Sequence, residues 1–166
     1  MGGLGYQHTF GYESRLILTD LLTPDGVRVP LASTEKAGVL RELTQLLASQ
    51  VGADAEALHA AVLVRERKLS TGIGHGIAIP HAKSPLLDRL YLVCGSAPQG
   101  IEYGSLDAAP VHLLFLLMGP ESAAGDHVKA LSQIAGVVRR ESLRQALVEA
   151  PTAEAFRQTL REAEER

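Results

Sequence analysis

Apolar positions recur along this chain in two periods, one helical and one strand-like. Leu40, Leu43 and Leu47 fall on one face of a helix predicted from about Thr34 to Ser49, with Val39 and Leu46 beside them. Ser33 or Thr34 is positioned to cap its start, and Glu35 suits the positive end of the helix dipole. Gly52 breaks the pattern, and Asp54 opens a second helix whose Leu58, Ala61 and Val62 point inward. Two runs, LYLVCGSA (90–97) and VHLLFLLM (111–118), are almost wholly apolar, so each reads as a central strand covered on both faces. GIAI reads as a short strand ended by Pro80, QGIEYGS as a strand or turn piece, and RLILTDLLTP as a strand or turn leading into the domain. After a loop, GPESAAGD, a third helix is predicted from near Asp126, with Val128, Leu131, Ile134, Ala135 and Val138 at helical spacing. ESLRQALVEA, capped by Glu141 or Ser142, and PTAEAFRQTLREAEER supply two more.

Helices on both sides of a run of strands predict an α/β fold. The strand connections are short, which brings in antiparallel pairing and makes the sheet mixed. The expected architecture is therefore a mixed β-sheet sandwiched between helices, a three-layer α/β/α single domain over residues 14–166. The glycines at 2, 3, 5 and 11 predict a mobile N-terminal arm over residues 1–13.

Composition narrows the chemistry. The 166 residues carry a net charge of −3, so no global positive field draws the chain to nucleic acid or anionic membrane. The longest apolar run, Leu113 to Met118, falls far below the roughly 18 residues a membrane helix needs, so no membrane insertion is expected. The N-terminus has no secretory pattern, and Cys94 is the only cysteine, so no internal disulfide forms and the cytoplasm is the expected compartment. Thiol metal motifs need at least two cysteines, HExxH is absent, and neither a GxSxG elbow nor a Walker lysine is present. Six histidines remain as the candidate chemistry.

His81 follows a proline at a strand end after a glycine loop, which suits a preorganised nucleophile or ligand and equally a loop histidine bonded to a backbone carbonyl. His127 sits in the first turn of a predicted helix, where the dipole favours a neutral ring and free N–H groups attract anions. It serves there either as a site residue or as a helix-start filler. His75 lies inside the glycine loop. His112 is expected as a satisfied strand histidine, His59 at the surface, and His8 in the arm.

The segment RERKLSTGIGHGIAIPHA (65–82) closely resembles the phosphorylation-site motif of enzyme IIA domains of the phosphoenolpyruvate-dependent phosphotransferase system, in the fructose/mannitol class that includes the nitrogen-regulatory enzyme IIA. GIEYGSLDAAPVHLLFLLMGP, DHVKALSQIAGVV and ESLRQALVEAPTAEAF continue the resemblance, which spans residues 14–160. The resemblance implies a phosphocarrier that takes a phosphoryl group on His81 from an HPr-like protein and passes it on or uses it as a regulatory signal. It implies that Arg65, sixteen residues before His81, and His127, forty-six after it, flank the phosphoryl group. Arg65, His127 and Thr71 are then the phosphate-binding residues, with no metal and no cofactor. His75 stands where relatives often carry a small polar residue, and is expected to add a titratable group near the site. Ile79 and Leu86 are expected in a docking patch. Because no IIB, IIC or HPr domain is fused to the chain, the regulatory type, which controls a transporter or kinase by binding, is favoured over a sugar-uptake IIA that donates to a IIB protein. A sensor module without transfer chemistry is the further alternative.

Overall fold

The computed structural model describes residues 16–165, so the expected arm, its boundary near residue 14 and His8 lie outside the described residues. The elements run α1 (Leu18–Leu21), β1 (Leu22–Arg28), α2 (Lys36–Val51), α3 (Ala55–Lys68), β2 (Gly72–Gly74), β3 (Ile77–Ala78), β4 (His81–Lys83), β5 (Tyr91–Ile101), β6 (Val111–Gly119), α4 (Ala124–Val137), α5 (Glu141–Glu149) and α6 (Ala153–Glu164). The sheet is mixed, in the order β1-β5-β6-β3-β2, with β4 also paired to β6. β5 and β6 form its antiparallel centre, while β1 runs parallel to β5, and β3 and β4 both run parallel to β6.

The two apolar runs are the central strands for the reason their composition implies: both faces are covered. On β6 the alternation is clean. Leu114, Leu116 and Met118 join Leu40, Leu43, Leu47, Leu58 and Val62 under α2 and α3. Leu113, Phe115 and Leu117 join Ala130, Ile134, Leu147, Phe156 and Leu160 under α4, α5 and α6. The three-layer α/β/α architecture follows. Cys94 lies on β5 opposite Phe115 and is fully buried, which pushes its thiol pKa up and leaves it inert.

Several helix ends differ from expectation. RLILTDLLTP contains a helical turn before β1, because the Glu164 carboxylate accepts from Leu18 N (2.6 Å) and Thr19 N (2.9 Å). That partner lies 146 residues away and leaves no local signal. Pro24 is tolerated in β1 because β1 is an edge strand. Glu35, not Ser33 or Thr34, is the N-cap of α2, with no side-chain cap of its own. Ser33 sits just outside and accepts from Glu35 N at 3.3 Å. Arg140 likewise precedes α5 without a side-chain cap. Asp54 and Thr152 do cap, accepting from Glu56 N and Ala155 N at 3.0 Å. Gly52 ends α2 at φ 73°, donating to Ala48 O at 2.8 Å. A 3₁₀ turn at Glu121–Ala123 leads into α4, which starts two residues before Asp126. Its buried stripe is His127, Ala130 and Ile134, whereas Val128 and Ala135, expected inside, are exposed.

Phe156 lies at the centre of the α6 layer, fully buried, with its ring 6.5 Å from that of Phe115. Phe156→Ala leaves a cavity remote from the histidines, and a loss of about 3–5 kcal/mol is expected in urea unfolding at pH 7. A loss below about 1 kcal/mol would show that this layer does not hold the core.

Candidate functional site

Three elements meet at one cleft. The C-terminal turn of α3 brings Arg65, the first residue of β4 is His81, and the first turn of α4 carries His127. These three, together with Lys68, Lys83 and Val128, line an open cleft of about 590 Å³. Among the described residues no acidic side chain lines it, although Glu121 lies 3.5 Å from Lys83 Nζ. The cleft is therefore a cationic depression with apolar walls, suited to a compact anion.

The local sequence explains how His81 is held. β3 and β4 pair in succession along the same partner, Ile77 opposite Leu113 and His81 opposite Leu117. Between them Ile79 and Pro80 leave the ladder, although Pro80 O still accepts from Leu117 N at 3.0 Å. That break frees the Ile79 carbonyl, and His81 Nδ1 lies 2.8 Å from it. A carbonyl only accepts, so Nδ1 carries the proton and Nε2 is bare. The strand-end histidine and the carbonyl-bonded histidine of the sequence reading are thus the same arrangement. Burial lowers the His81 pKa, opposed by the Ile79 hydrogen bond and reinforced by the Arg65 charge.

His127 stands edge-on to His81, with ring centroids 5.5 Å apart and planes at 65°. It is buried, and its Nδ1 has no hydrogen-bond partner among the described residues. Desolvation, then the neighbouring His81 and Lys83, push its pKa down to about 4, so the ring is neutral near pH 7. Arg65 donates from Nη1 to Leu69 O at 2.7 Å, which satisfies an orphan carbonyl at the end of α3 and anchors the guanidinium. Its other N–H groups remain to serve an anion.

The remaining expectations fare differently. Thr71 does not line the cleft: it is buried, its hydroxyl donates to the Glu66 carboxylate, and its N–H donates to the same carboxylate at 2.6 Å. His75 is exposed at the β2–β3 turn with φ 57°, its N–H donating to Asp107 Oδ2 at 3.1 Å. That turn adjoins the Leu113 end of β6, whereas His81 adjoins Leu117, roughly 13 Å further along the strand, so His75 is not beside the site. His112 is satisfied, its Nδ1 3.0 Å from Ala97 O. His59 is buried rather than at the surface, because α3 packs against α2 along that face. Ile79 is buried too and cannot dock a partner, while Leu86 is half exposed. Lys68 and Lys83 were not singled out by the sequence reading, though a signal exists. Lys83 is two residues after His81 on a strand, and Lys68 three after Arg65 on a helix, which are the spacings of shared faces.

Comparison with known proteins identifies the family. Residues 20–163 match the family described as "Phosphoenolpyruvate-dependent sugar phosphotransferase system, EIIA 2". A nitrogen regulatory protein of Pseudomonas aeruginosa is 39% identical over 147 residues, covering 85% of this chain and 92% of that protein. The fructose-specific EIIABC component of Bacillus subtilis is 38% identical over 141 residues, 84% of this chain but only 22% of that longer protein. The crystal structure of nitrogen regulatory protein IIA-Ntr from Neisseria meningitidis superposes with a TM-score of 0.80 at 27% identity, covering 86% of this chain and 97% of that one. The match over residues 20–163, on a fold shared with IIA-Ntr, places the chain in the EIIA 2 family of the phosphoenolpyruvate-dependent sugar phosphotransferase system, as a phosphotransfer component.

Proposed function

We propose that this protein carries a phosphoryl group on His81 Nε2, received from the phosphohistidine of an HPr-like protein. The observation that carries this reading is the His81 Nδ1 to Ile79 O hydrogen bond, which leaves the Nε2 lone pair bare. That lone pair attacks phosphorus in line. The new N–P bond forms as the donor's P–N bond breaks, and the bonding pair leaves with the donor imidazole. Charge spreads over three equatorial oxygens in the transition state, so positive potential and positioning supply the catalysis. Arg65 offers parallel N–H donors to those oxygens, and His127 offers a ring N–H from 5.5 Å away, centroid to centroid. Lys68 and Lys83 add charge at the rim of the cleft.

On this reading the group is exchanged with another protein and there is no independent small-molecule turnover; the open cleft, which leaves His81 within reach of a partner's surface, supports it. The phosphorylated site gains roughly two negative charges and changes which surface it fits. The regulatory role, acting on a transporter or kinase in the cytoplasm, is preferred. Two relatives named nitrogen regulatory protein match over nine-tenths of their own length. Transfer to a IIB protein is the second reading, favoured by the 38% identity to the fructose-specific component.

Incubation with phosphoenolpyruvate, enzyme I and an HPr-type carrier is expected to add one phosphoryl group by mass, and His81→Ala to abolish the gain. A protein that stays unmodified with every such carrier overturns the reading. Arg65→Ala is expected to slow phosphorylation roughly tenfold to a hundredfold while the fold survives. Unchanged rates would remove the arginine from the transition state.

His127 also couples the site to pH. Its folded pKa of about 4 lies below the ordinary value of 6.5, so the unfolded chain binds more protons between those values. Its contribution to stability is full above pH 6.5 and declines as pH falls towards 4, by up to roughly 3 kcal/mol. His81 is shifted the same way. His127→Gln is therefore expected to lose less stability than the wild type between pH 7 and pH 4.5 in urea unfolding. Parallel pH profiles would show that His127 is not held neutral.

A further inference from the structure

Behind the cleft, the residue after Arg65 forms a buried cluster that the transfer chemistry does not touch. Glu66 is 8% exposed. Its carboxylate accepts from Thr71 N (2.6 Å), from the Thr71 hydroxyl, and from the Tyr103 hydroxyl (2.7 Å). Lys36 Nζ lies 3.6 Å from the same carboxylate and 4.4 Å from the centroid of the Tyr103 ring. Tyr103 is 2% exposed, and burial followed by the Glu66 charge drives its pKa up, so its phenol stays a proton donor. Four elements of the molecule thus converge on one acidic side chain: α3 itself, the start of α2, the turn before β2 and the segment after β5.

A buried carboxylate is costly unless its lone pairs are filled, and here they are. What the filling achieves is directional. Thr71, held through both its N–H and its hydroxyl, presents its carbonyl to Ile79 N at 3.0 Å. Ile79 in turn presents its own carbonyl to His81 Nδ1 at 2.8 Å. The adjoining Gly72 allows no slack. A Cβ there would lie 2.2 Å from Ser105 Oγ and 3.0 Å from Ser105 Cα, so the turn is pressed against the segment that carries Tyr103.

We propose that Glu66 is a positioning residue for His81: through Thr71 and Ile79 it fixes the carbonyl that selects the Nδ1–H tautomer and so keeps Nε2 bare for the phosphoryl group. This rests on the phosphocarrier reading for its function, but not for its geometry. Glu66→Gln keeps the shape but removes the charge: with the amide oxygen still accepting from Thr71 N–H, the NH₂ faces the two hydroxyls, which must turn from donors to acceptors, so the charge-assisted hold on Thr71 is weakened.

The test combines long-range proton–nitrogen NMR of the imidazoles with phosphorylation kinetics on the intact chain. In the wild type His81 is expected as a single Nδ1–H tautomer. Glu66→Gln is expected to show mixed tautomers and about a tenfold slower phosphorylation at saturating carrier, with the carrier concentration for half-maximal rate changed less than twofold. Thr71→Val, which exchanges the hydroxyl for a methyl and keeps the N–H, is expected to move both readouts the same way by less, and stands in should Glu66→Gln not fold. Phe156→Ala, destabilised elsewhere, is expected to keep the wild-type tautomer, which separates positioning from general instability. A folded Glu66→Gln or Thr71→Val protein with wild-type tautomer and rate overturns the proposal. If the wild type accepts no phosphoryl group yet Glu66→Gln shifts the tautomer, the phosphocarrier reading fails and the positioning stands.

Discussion

The site depends on a carbonyl that has been withdrawn from the sheet. In an unbroken strand Ile79 O would pair with a neighbouring strand, and His81 would have no acceptor two residues back. Pro80 cannot donate to a ladder, and its presence splits one short strand into β3 and β4, both laid along β6. The gap frees the Ile79 carbonyl while the flanking pairs keep it in register. An interruption in regular structure thus becomes the feature that chooses which imidazole nitrogen is left bare.

A second constraint is the double covering of the sheet. With β5 and β6 buried on both faces, the two helical layers can differ in purpose. The α2–α3 layer delivers Arg65 to the cleft and, about 100° further round the same turn, Glu66 to the interior. The α4–α6 layer delivers His127 on the first turn of a helix whose dipole disfavours an imidazolium. Adjacent residues of opposite charge on one helix therefore face different surroundings, one the cleft and the other the interior.

Much of this was legible in the sequence. The central strands could be read because apolar runs of strand length fit only a doubly covered sheet. Arg65, His81 and His127 could be read because their spacing matched a specific motif, and the cleft does bring them together. What escaped reading involved partners distant in the chain. The helical turn at Leu18 is capped by Glu164. His59 is buried by helix packing that its neighbours in sequence do not announce. Thr71 was read as a phosphate ligand because it stands in the motif, but its hydroxyl is turned inward to Glu66. Motif membership marks a residue as near the chemistry without saying which way it faces.

Cys94 gives the molecule an internal reporter. It sits on the strand that joins both layers, opposite Phe115, with no exposed surface and a thiol that burial keeps protonated. A thiol reagent can reach it only when the sheet itself parts, so its labelling rate measures the opening of the whole core and not the breathing of a loop. The same seclusion separates two chemistries in one small protein. Oxidants that modify exposed thiolates find none in the native fold, so on the phosphocarrier reading the imidazole exchange at the surface has no reactive thiol beside it.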